Sequence, residues 1–258
     1  MEKIIAVLSF TGKVGKSVIS DNLLLPRMKN ALRFQMETIN ESGKNIVDED
    51  GINIPAVVLK GREVPKLQTH LVGKKSAIVD IGMSNVEAFI LALNQQADAH
   101  YDFDYFIVPI EANYLKHNEM IEAIKTIDTL HAMGVEPERI KVIFNKLAND
   151  STVEEEAAPI FKYHADTKKF TLNPKAVIHE TPAFKAFAEV NKSFLSMVND
   201  DTNYRQQQKE TEEKDFKFIL RCVPFCERPF FRYDSTGPSH RNSNLPIPIE
   251  EQQVPTPH

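Results

Sequence analysis

Runs of apolar residues bounded by polar or turn-forming residues recur along the chain. They are IIAVLSF (4–10), LRFQMETI (32–39), SAIVDIG (76–82), DYFIVPI (104–110) and IKVIFNK (140–146). Apolarity without alternation is typical of strands that are buried on both faces, as in a parallel sheet. A further short strand is predicted near residues 176–179.

Apolar residues at helical spacing fill the intervals between these strands. They predict helices over residues 18–28, 62–72, 84–96 and 115–133, and a last helix over residues 183–198. Alternation of strand and helix predicts an α/β fold, with a mostly parallel sheet flanked by helices on both faces. In such folds ligands bind at the carboxyl ends of the strands, so candidate site residues should lie there.

The first connection, SFTGKVGKS (9–17), carries a candidate phosphate-binding loop. Gly-Lys occurs four times in the chain, but only Gly15-Lys16 is followed by a hydroxyl residue and lies between a predicted strand and a predicted helix. There, backbone N–H groups converge on an anion, Lys16 reaches the terminal phosphates, and Ser17 ligates Mg²⁺. Phe10 occupies the place of the first glycine in G-x-x-x-x-G-K-[ST], so a plain turn remains the alternative.

A second signal lies at the end of the strand SAIVDIG. Asp80 has the placement of a carboxylate that holds Mg²⁺ across from Ser17, and Gly82 would let the backbone approach a γ-phosphate. The alternative is an aspartate that caps the next helix. Together with the loop, Asp80 predicts a P-loop NTPase fold.

A third signal is the strand end VIFNKL. Asn145 could offer its amide to a base edge, and Lys146 could cover the base with its alkyl stem. A guanine site of the N-K-x-D type would need an acid where Ala148 stands, so adenine is favoured. A turn asparagine is the alternative interpretation.

Charge and cysteine content narrow the function classes. The chain has 31 Lys and Arg against 36 Asp and Glu, a net charge of −5, which argues against broad clamping of a DNA backbone. The two cysteines, the absence of a leader-like start and the absence of a long apolar run predict a cytoplasmic protein with at most peripheral membrane contact.

Composition divides the chain near residue 200. Residues 1–199 are expected to form one nucleotide-binding domain, because 42% of the 258 residues are hydrophobic and the patterned segments end there. Residues 200–258 begin with DDTNYRQQQKETEEKD and end with a proline-rich stretch. That composition predicts a disordered tail.

The ordered motifs resemble the ParA/MinD superfamily of deviant Walker A ATPases, whose loop also lacks the early glycine. More closely, the chain is similar to the StbB family of plasmid stability ATPases over roughly residues 3–198. The segments that carry the similarity are FTGKVGKS, LLLPR, METIN, IVDIGMSNVEAF, DFDYFIVP and VIFNK. The resemblance implies a bacterial, Mg²⁺-dependent ATP-hydrolysing switch in plasmid stability, partition and conjugative transfer. It further implies a nucleotide-dependent homodimer and a plasmid-encoded DNA-binding partner protein, with DNA contacted indirectly.

Two departures from that superfamily bear on hydrolysis. Thr11 stands in the place of the signature lysine, and Lys13 replaces the second glycine. Where many relatives have D-x-D, this chain has ETIN, so Glu37 takes one acidic place and Ile39 or Asn40 falls near the catalytic one. Turnover is therefore expected to be slow or partner-dependent, and Glu37 is equally a candidate structural acceptor.

The alternatives are a scaffold that binds nucleotide without hydrolysing it, and a small-molecule ATP-dependent enzyme of the same fold. In the favoured interpretation Lys16, Glu37 and Asp80 are catalytic, and Ser17 and Asp80 hold Mg²⁺. The predicted nucleotide-binding residues are Thr11, Gly12, Lys13, Val14, Gly15, Lys16, Ser17, Val18, Gly82, Asn145 and Lys146.

Overall fold

A computed structural model of the chain describes residues 2–28, 30–37, 46–47, 53–96, 98–184 and 196. The strands are β1 (Ile4–Val7), β2 (Leu32–Met36), β3 (Ile46–Val47), β4 (Asn53–Ile54), β5 (Ala56–Leu59), β6 (Ala77–Ile81), β7 (Tyr105–Glu111), β8 (Ile140–Leu147) and β9 (Val177–His179). The α-helices are α1 (Lys16–Val18), α2 (Val64–Leu71), α3 (Val86–Asn94), α4 (His117–Ala132), α5 (Val153–Glu156) and α6 (Ala158–Thr167).

Seven strands form one sheet in the order β5-β2-β6-β1-β7-β8-β9, and every pairing between neighbours in it is parallel. Strands β3 and β4 form a separate antiparallel pair. All parallel strands point the same way, so their carboxyl ends meet along one edge of the sheet. The predicted α/β fold, with a P-loop connection from β1 to α1, is confirmed.

Strand β1 shows how the sheet separates two apolar layers. Ala6 and Leu8 pack into one buried cluster, and Ile5 and Val7 pack into another, because successive side chains of a strand point to opposite faces. The first cluster takes apolar residues of α2, α3, α4 and α6, and the second takes those of the segment that follows the phosphate loop. Helical segments therefore cover both faces.

Most predicted elements are confirmed with shorter bounds. The helices predicted over residues 62–72, 84–96 and 115–133 correspond to α2, α3 and α4, and the short strand near residues 176–179 corresponds to β9. Strand β5 and helices α5 and α6 were not predicted. Strand β5 lies at the sheet edge with Val57 and Val58 exposed, and its apolar run AVVL is short and directly follows Pro55.

The helix predicted over residues 18–28 is not one regular helix. Only Lys16–Val18 is α-helical; a π-helical turn covers Ile19–Leu24 and a 3₁₀ turn covers Leu25–Arg27. Pro26 has no N–H to donate, so a regular hydrogen-bond ladder cannot pass through it. The segment therefore passes from a wide π-helical turn into a tighter 3₁₀ turn that contains Pro26.

A buried ion pair ties that irregular turn to the sheet. Arg33 of β2 donates from Nε and Nη2 to the two carboxylate oxygens of Asp21, at 2.6 and 2.9 Å. The side chains are 1% and 14% exposed. Burial raises the pKa of the Asp21 carboxyl, and the hydrogen bonds from Arg33 oppose that rise. The pair thus fixes the segment after the phosphate loop against β2.

Within the described residues, no helix is long and apolar enough to span a bilayer. The helix predicted over residues 183–198 lies outside the described residues, apart from Ala183, Phe184 and Ser196. The predicted tail, residues 200–258, also lies outside them.

Arg33→Met should lower the free energy of unfolding by about 3 kcal/mol, because it leaves the Asp21 carboxylate buried without its counter-ion. Lys66→Met is the matched control, since Lys66 makes an exposed pair with Glu63 and should change stability by less than about 0.5 kcal/mol. Urea denaturation measures both. Equal effects of the two variants would contradict the structural importance of the buried pair.

Candidate functional site

A cavity of about 870 Å³ opens at the carboxyl edge of the sheet. Its size is that of a small-molecule site. The lining residues come from the phosphate loop and from the ends of β2, β6, β8 and β9. They are Gly12, Lys13, Gly15, Lys16, Ser17, Val18, Glu37, Gly82, Met83, Ser84, Asn145, Lys146, His179, Glu180, Thr181, Pro182 and Phe184.

The phosphate loop is held in shape by close contact with the end of β8. Gly15 has φ +95°, and a Cβ there would lie 2.0 Å from Asn145 Nδ2. Asn145 Nδ2 donates to the Val14 carbonyl oxygen at 2.9 Å. Lys13 also has positive φ, +62°, so left-handed residues recur along the loop. Such backbone forms concavities whose N–H groups face an anion.

Lysine 16 lies inside this loop. The residue is buried, and its Nζ donates to the Thr11 carbonyl oxygen at 2.7 Å. Burial lowers the pKa of Lys16, and the nearby carboxylates of Asp80 and Glu37 oppose that change. A cation therefore lines the cavity, held by a backbone carbonyl that a phosphate oxygen can replace.

Ser17 and Asp80 form the second polar element of the site. The Ser17 hydroxyl hydrogen-bonds the buried Asp80 carboxylate, and Asp80 lies on β6 in register with Val7 of β1. Burial raises the pKa of Asp80 to about 6, against the hydrogen bond from Ser17, which lowers it. A hydroxyl and a carboxylate are the hard oxygen ligands that Mg²⁺ takes, so this donor set fits that ion.

Glu37 forms one wall of the cavity. It follows β2 directly, and its Oε2 would lie 2.6 Å from a Cβ placed on Gly82. Gly82 N also donates to the Met36 carbonyl oxygen at 2.9 Å. Gly82 is therefore required by close packing of β2 against the turn after β6. Ile39 and Asn40, the positions nearest the second acidic place, lie outside the described residues.

The structure brings most of the predicted site residues together around the cavity. Three lie behind its wall: Thr11 supplies a carbonyl to Lys16, Val14 is buried, and Asp80 lies beneath Ser17. Asn145 has one amide donor on Val14 and so supports the loop, while its contact with a base stays a prediction.

Two parts of the lining were missed by sequence reasoning. Met83 and Ser84 follow Gly82, and the segment 179–184 follows β9. A signal for the second was present, because β9 was predicted and the carboxyl end of any parallel strand reaches this edge. No motif marked the residues themselves.

Comparisons with known proteins add little to this geometry. No family model matches the chain, and no curated protein matches it. Among solved structures, apo McdA from Cyanothece is 14% identical, with 86% of this chain and 99% of that chain covered and a TM-score of 0.48. A Borrelia burgdorferi structure described as a plasmid partition protein bound to AMPPNP is 16% identical over 87% and 99%, with a TM-score of 0.47.

The pNOB8 ParA protein bound to nonspecific DNA is 9% identical over 87% of this chain and 99% of that chain, with a TM-score of 0.46. At these scores the likeness carries no argument about function. The fold rests on the observed strand order, and the site rests on the contacts described above.

Gly15→Ala should destabilise the protein by roughly 3 kcal/mol or more, because it adds strain at positive φ to a clash with Asn145. Gly73→Ala is the control, since Gly73 has φ +70° but a Cβ there meets nothing within 4 Å. That variant should lose only the strain, roughly 1 kcal/mol. Thermal unfolding of both variants separates strain from clash, and equal losses would contradict the close approach.

Asp80→Asn should raise the melting temperature of the ligand-free protein at pH 7.5. The folded pKa of about 6 exceeds the ordinary value of 3.8, so ionised Asp80 costs stability fully above pH 6 and not at all below 3.8. The gain from the substitution should therefore shrink between pH 6 and pH 4. Melting curves of both proteins across that pH range test this expectation. A gain in melting temperature that does not change with pH would contradict the raised pKa of Asp80.

Proposed function

We propose that the cavity binds Mg-ATP and that the protein is an ATP-controlled switch of the ParA/MinD type. The observation that carries this proposal is that Lys16 and Ser17, at the end of a loop in which Gly15 leaves no room for a side chain, lie close to the Asp80 carboxylate. Positive charge, backbone N–H groups and a pair of oxygen ligands are what a nucleoside triphosphate with its metal requires. The more specific role in plasmid stability, partition and conjugative transfer rests on the StbB-like motifs.

Each polar group then has a defined task. Lys16 leaves the Thr11 carbonyl and donates to the terminal phosphates. Ser17 and Asp80 would hold Mg²⁺, which would supply positive charge to neutralise the phosphate oxygens. Glu37 lines the same cavity beside Gly82, and its carboxylate is the proposed catalytic group of this wall.

The proposed base is adenine. Asn145 and Lys146 line the cavity at the end of β8, and Ala148 provides no carboxylate for the donor groups of guanine. The segment 179–184 lines the same cavity and supplies Pro182 and Phe184 as apolar surface.

The switch is proposed to act through contacts on the loop face. Lys13 is exposed and lines the cavity entrance, and Met83, 52% exposed, lies beside Gly12. A nucleotide-dependent homodimer, or contact with a plasmid-encoded DNA-binding partner, would use this face. The net charge of −5 favours indirect contact with DNA.

A scaffold that binds ATP without turning it over is the second candidate. The observation that favours it is Thr11, which stands where the superfamily has its signature lysine. Steady-state ATP turnover, measured alone and with DNA and the partner, distinguishes the two candidates.

Lys16→Ala should weaken ATP binding by about 1.5 to 3 kcal/mol, because it removes a charge-assisted phosphate contact. Lys74→Ala is the control, since Lys74 also follows a glycine but is exposed and does not line the cavity. Calorimetric titration with Mg-ATP and Mg-GTP measures affinity and base preference together. Unchanged ATP affinity in Lys16→Ala would reject the site, and equal or tighter GTP binding by wild type would reject the adenine assignment.

Lys13→Ala should reduce ATP turnover or ATP-dependent assembly if Lys13 substitutes for the signature lysine. Sedimentation and turnover are measured for wild type and variant, each with ATP and with ADP. ATP should promote assembly of the wild type more than ADP does, because a ligand shifts an equilibrium only by its differential affinity. If the wild type assembles equally with ATP and with ADP, the proposed nucleotide-dependent dimer is rejected. If turnover and assembly are the same in all four samples, Lys13 has no role in the mechanism.

A further inference from the structure

A buried carboxylate next to the cavity has no role in the nucleotide site described so far. Glu111 is the last residue of β7, lies in register with Asn145 of β8, and is 6% exposed. Its two oxygens have separate partners: Oε1 lies 2.7 Å from Lys116 Nζ, and Oε2 accepts from Lys146 Nζ at 2.8 Å. Because each oxygen has its own lysine partner, the orientation of the carboxylate is fixed.

Lys146 is held in an unusual backbone conformation. It has φ +56°, and the pairing of β8 with β9 shifts register between Asn145 and Leu147. A left-handed conformation at a residue with a side chain persists only where surrounding contacts determine it. The shift turns Lys146 out of the regular alternation of the strand, and its side chain lines the cavity.

The ion pair decides which part of Lys146 a ligand meets. Because Nζ is bound to the Glu111 carboxylate, the surface left for the cavity is the alkyl stem. A stem held at its far end is a fixed apolar surface of the kind that packs against a flat ring. Without the ion pair to Glu111, the Lys146 ammonium would be able to bind a phosphate group instead.

We propose that Glu111 is a positioning residue that fixes the Lys146 side chain as an apolar platform for the base of the bound nucleotide. This inference rests on the proposed nucleotide-binding function. It assigns Glu111 to base affinity and not to phosphate affinity, since Lys16 and the loop serve the phosphates. Lys116, at the start of α4, secures the carboxylate from the other side.

The test compares Mg-ATP with Mg-tripolyphosphate, which has the phosphates and lacks the base. Glu111→Gln should weaken ATP binding about threefold to tenfold and leave tripolyphosphate binding unchanged or tighter. Lys146→Met keeps an apolar stem but gives Glu111 nothing to hold, so it should show the same pattern. The double variant should bind ATP no more weakly than either single variant, because both changes remove one interaction.

Asp128→Asn is the matched control. Asp128 also accepts from a lysine, Lys169, and from Tyr163, but it does not line the cavity. It should leave the affinities for both ligands unchanged. If Glu111→Gln does not fold, Lys146→Met tests the same ion pair on its own. In that variant the Glu111 carboxylate is still paired with Lys116.

The possible results distinguish a failure of the positioning role of Glu111 from a failure of the proposed nucleotide-binding function. Equal weakening of ATP and tripolyphosphate in Glu111→Gln or Lys146→Met, or additive effects in the double variant, would overturn the positioning role while wild type still binds ATP. Failure of wild type to bind either ligand would overturn the proposed function and the inference with it.

Discussion

The hydrogen bond from Asn145 to the Val14 carbonyl, with the backbone of Gly15 pressed against the same amide, joins the phosphate loop to the end of β8. A loop between a strand and a helix is otherwise free to take many conformations, and fixing each residue has an entropic cost. Here the contact comes from a distant part of the chain. The conformation of the loop at Val14 and Gly15 therefore depends on a residue 131 positions away from Val14.

Several charged side chains lie near one another around the loop. The carboxylates of Asp80 and Glu37 lie close enough to Lys16 to raise its pKa, and the pair of Asp21 and Arg33 lies close enough to influence Asp80. Burial lowers the pKa of Lys16 and raises the pKa of Asp21 and of Asp80, so it disfavours the charged form of each, and the opposite charges nearby act against that effect. A site of this kind is poised for an anionic ligand with its cation, because both would join charges already present. The same burial of charge lowers the free energy of unfolding of the protein.

The fold was largely predictable, because inner parallel strands leave unbroken apolar runs and β6 is buried at all five positions. The positions of the loop and of Gly82 were predictable because each follows such a strand, and the position of Asp80 was predictable because it lies near the end of one. Strand β5 was missed although AVVL is also an unbroken apolar run, because the run is short and directly follows Pro55, which interrupts the pattern of a strand. The two ion pairs of Glu111 were not predictable either, because its lysine partners lie at different sequence distances and no local pattern encodes that geometry.

The most direct test of the central claim is a crystal structure of the full chain with Mg²⁺ and a non-hydrolysable ATP analogue, measuring the distance from Lys16 Nζ to its nearest acceptor. In the ligand-free protein that acceptor is the Thr11 carbonyl oxygen, at 2.7 Å. The account predicts that Nζ leaves Thr11 and lies within hydrogen-bond distance of a β- or γ-phosphate oxygen, with Mg²⁺ on Ser17. A nucleotide bound elsewhere, or one bound here while Lys16 stays on Thr11, would contradict it.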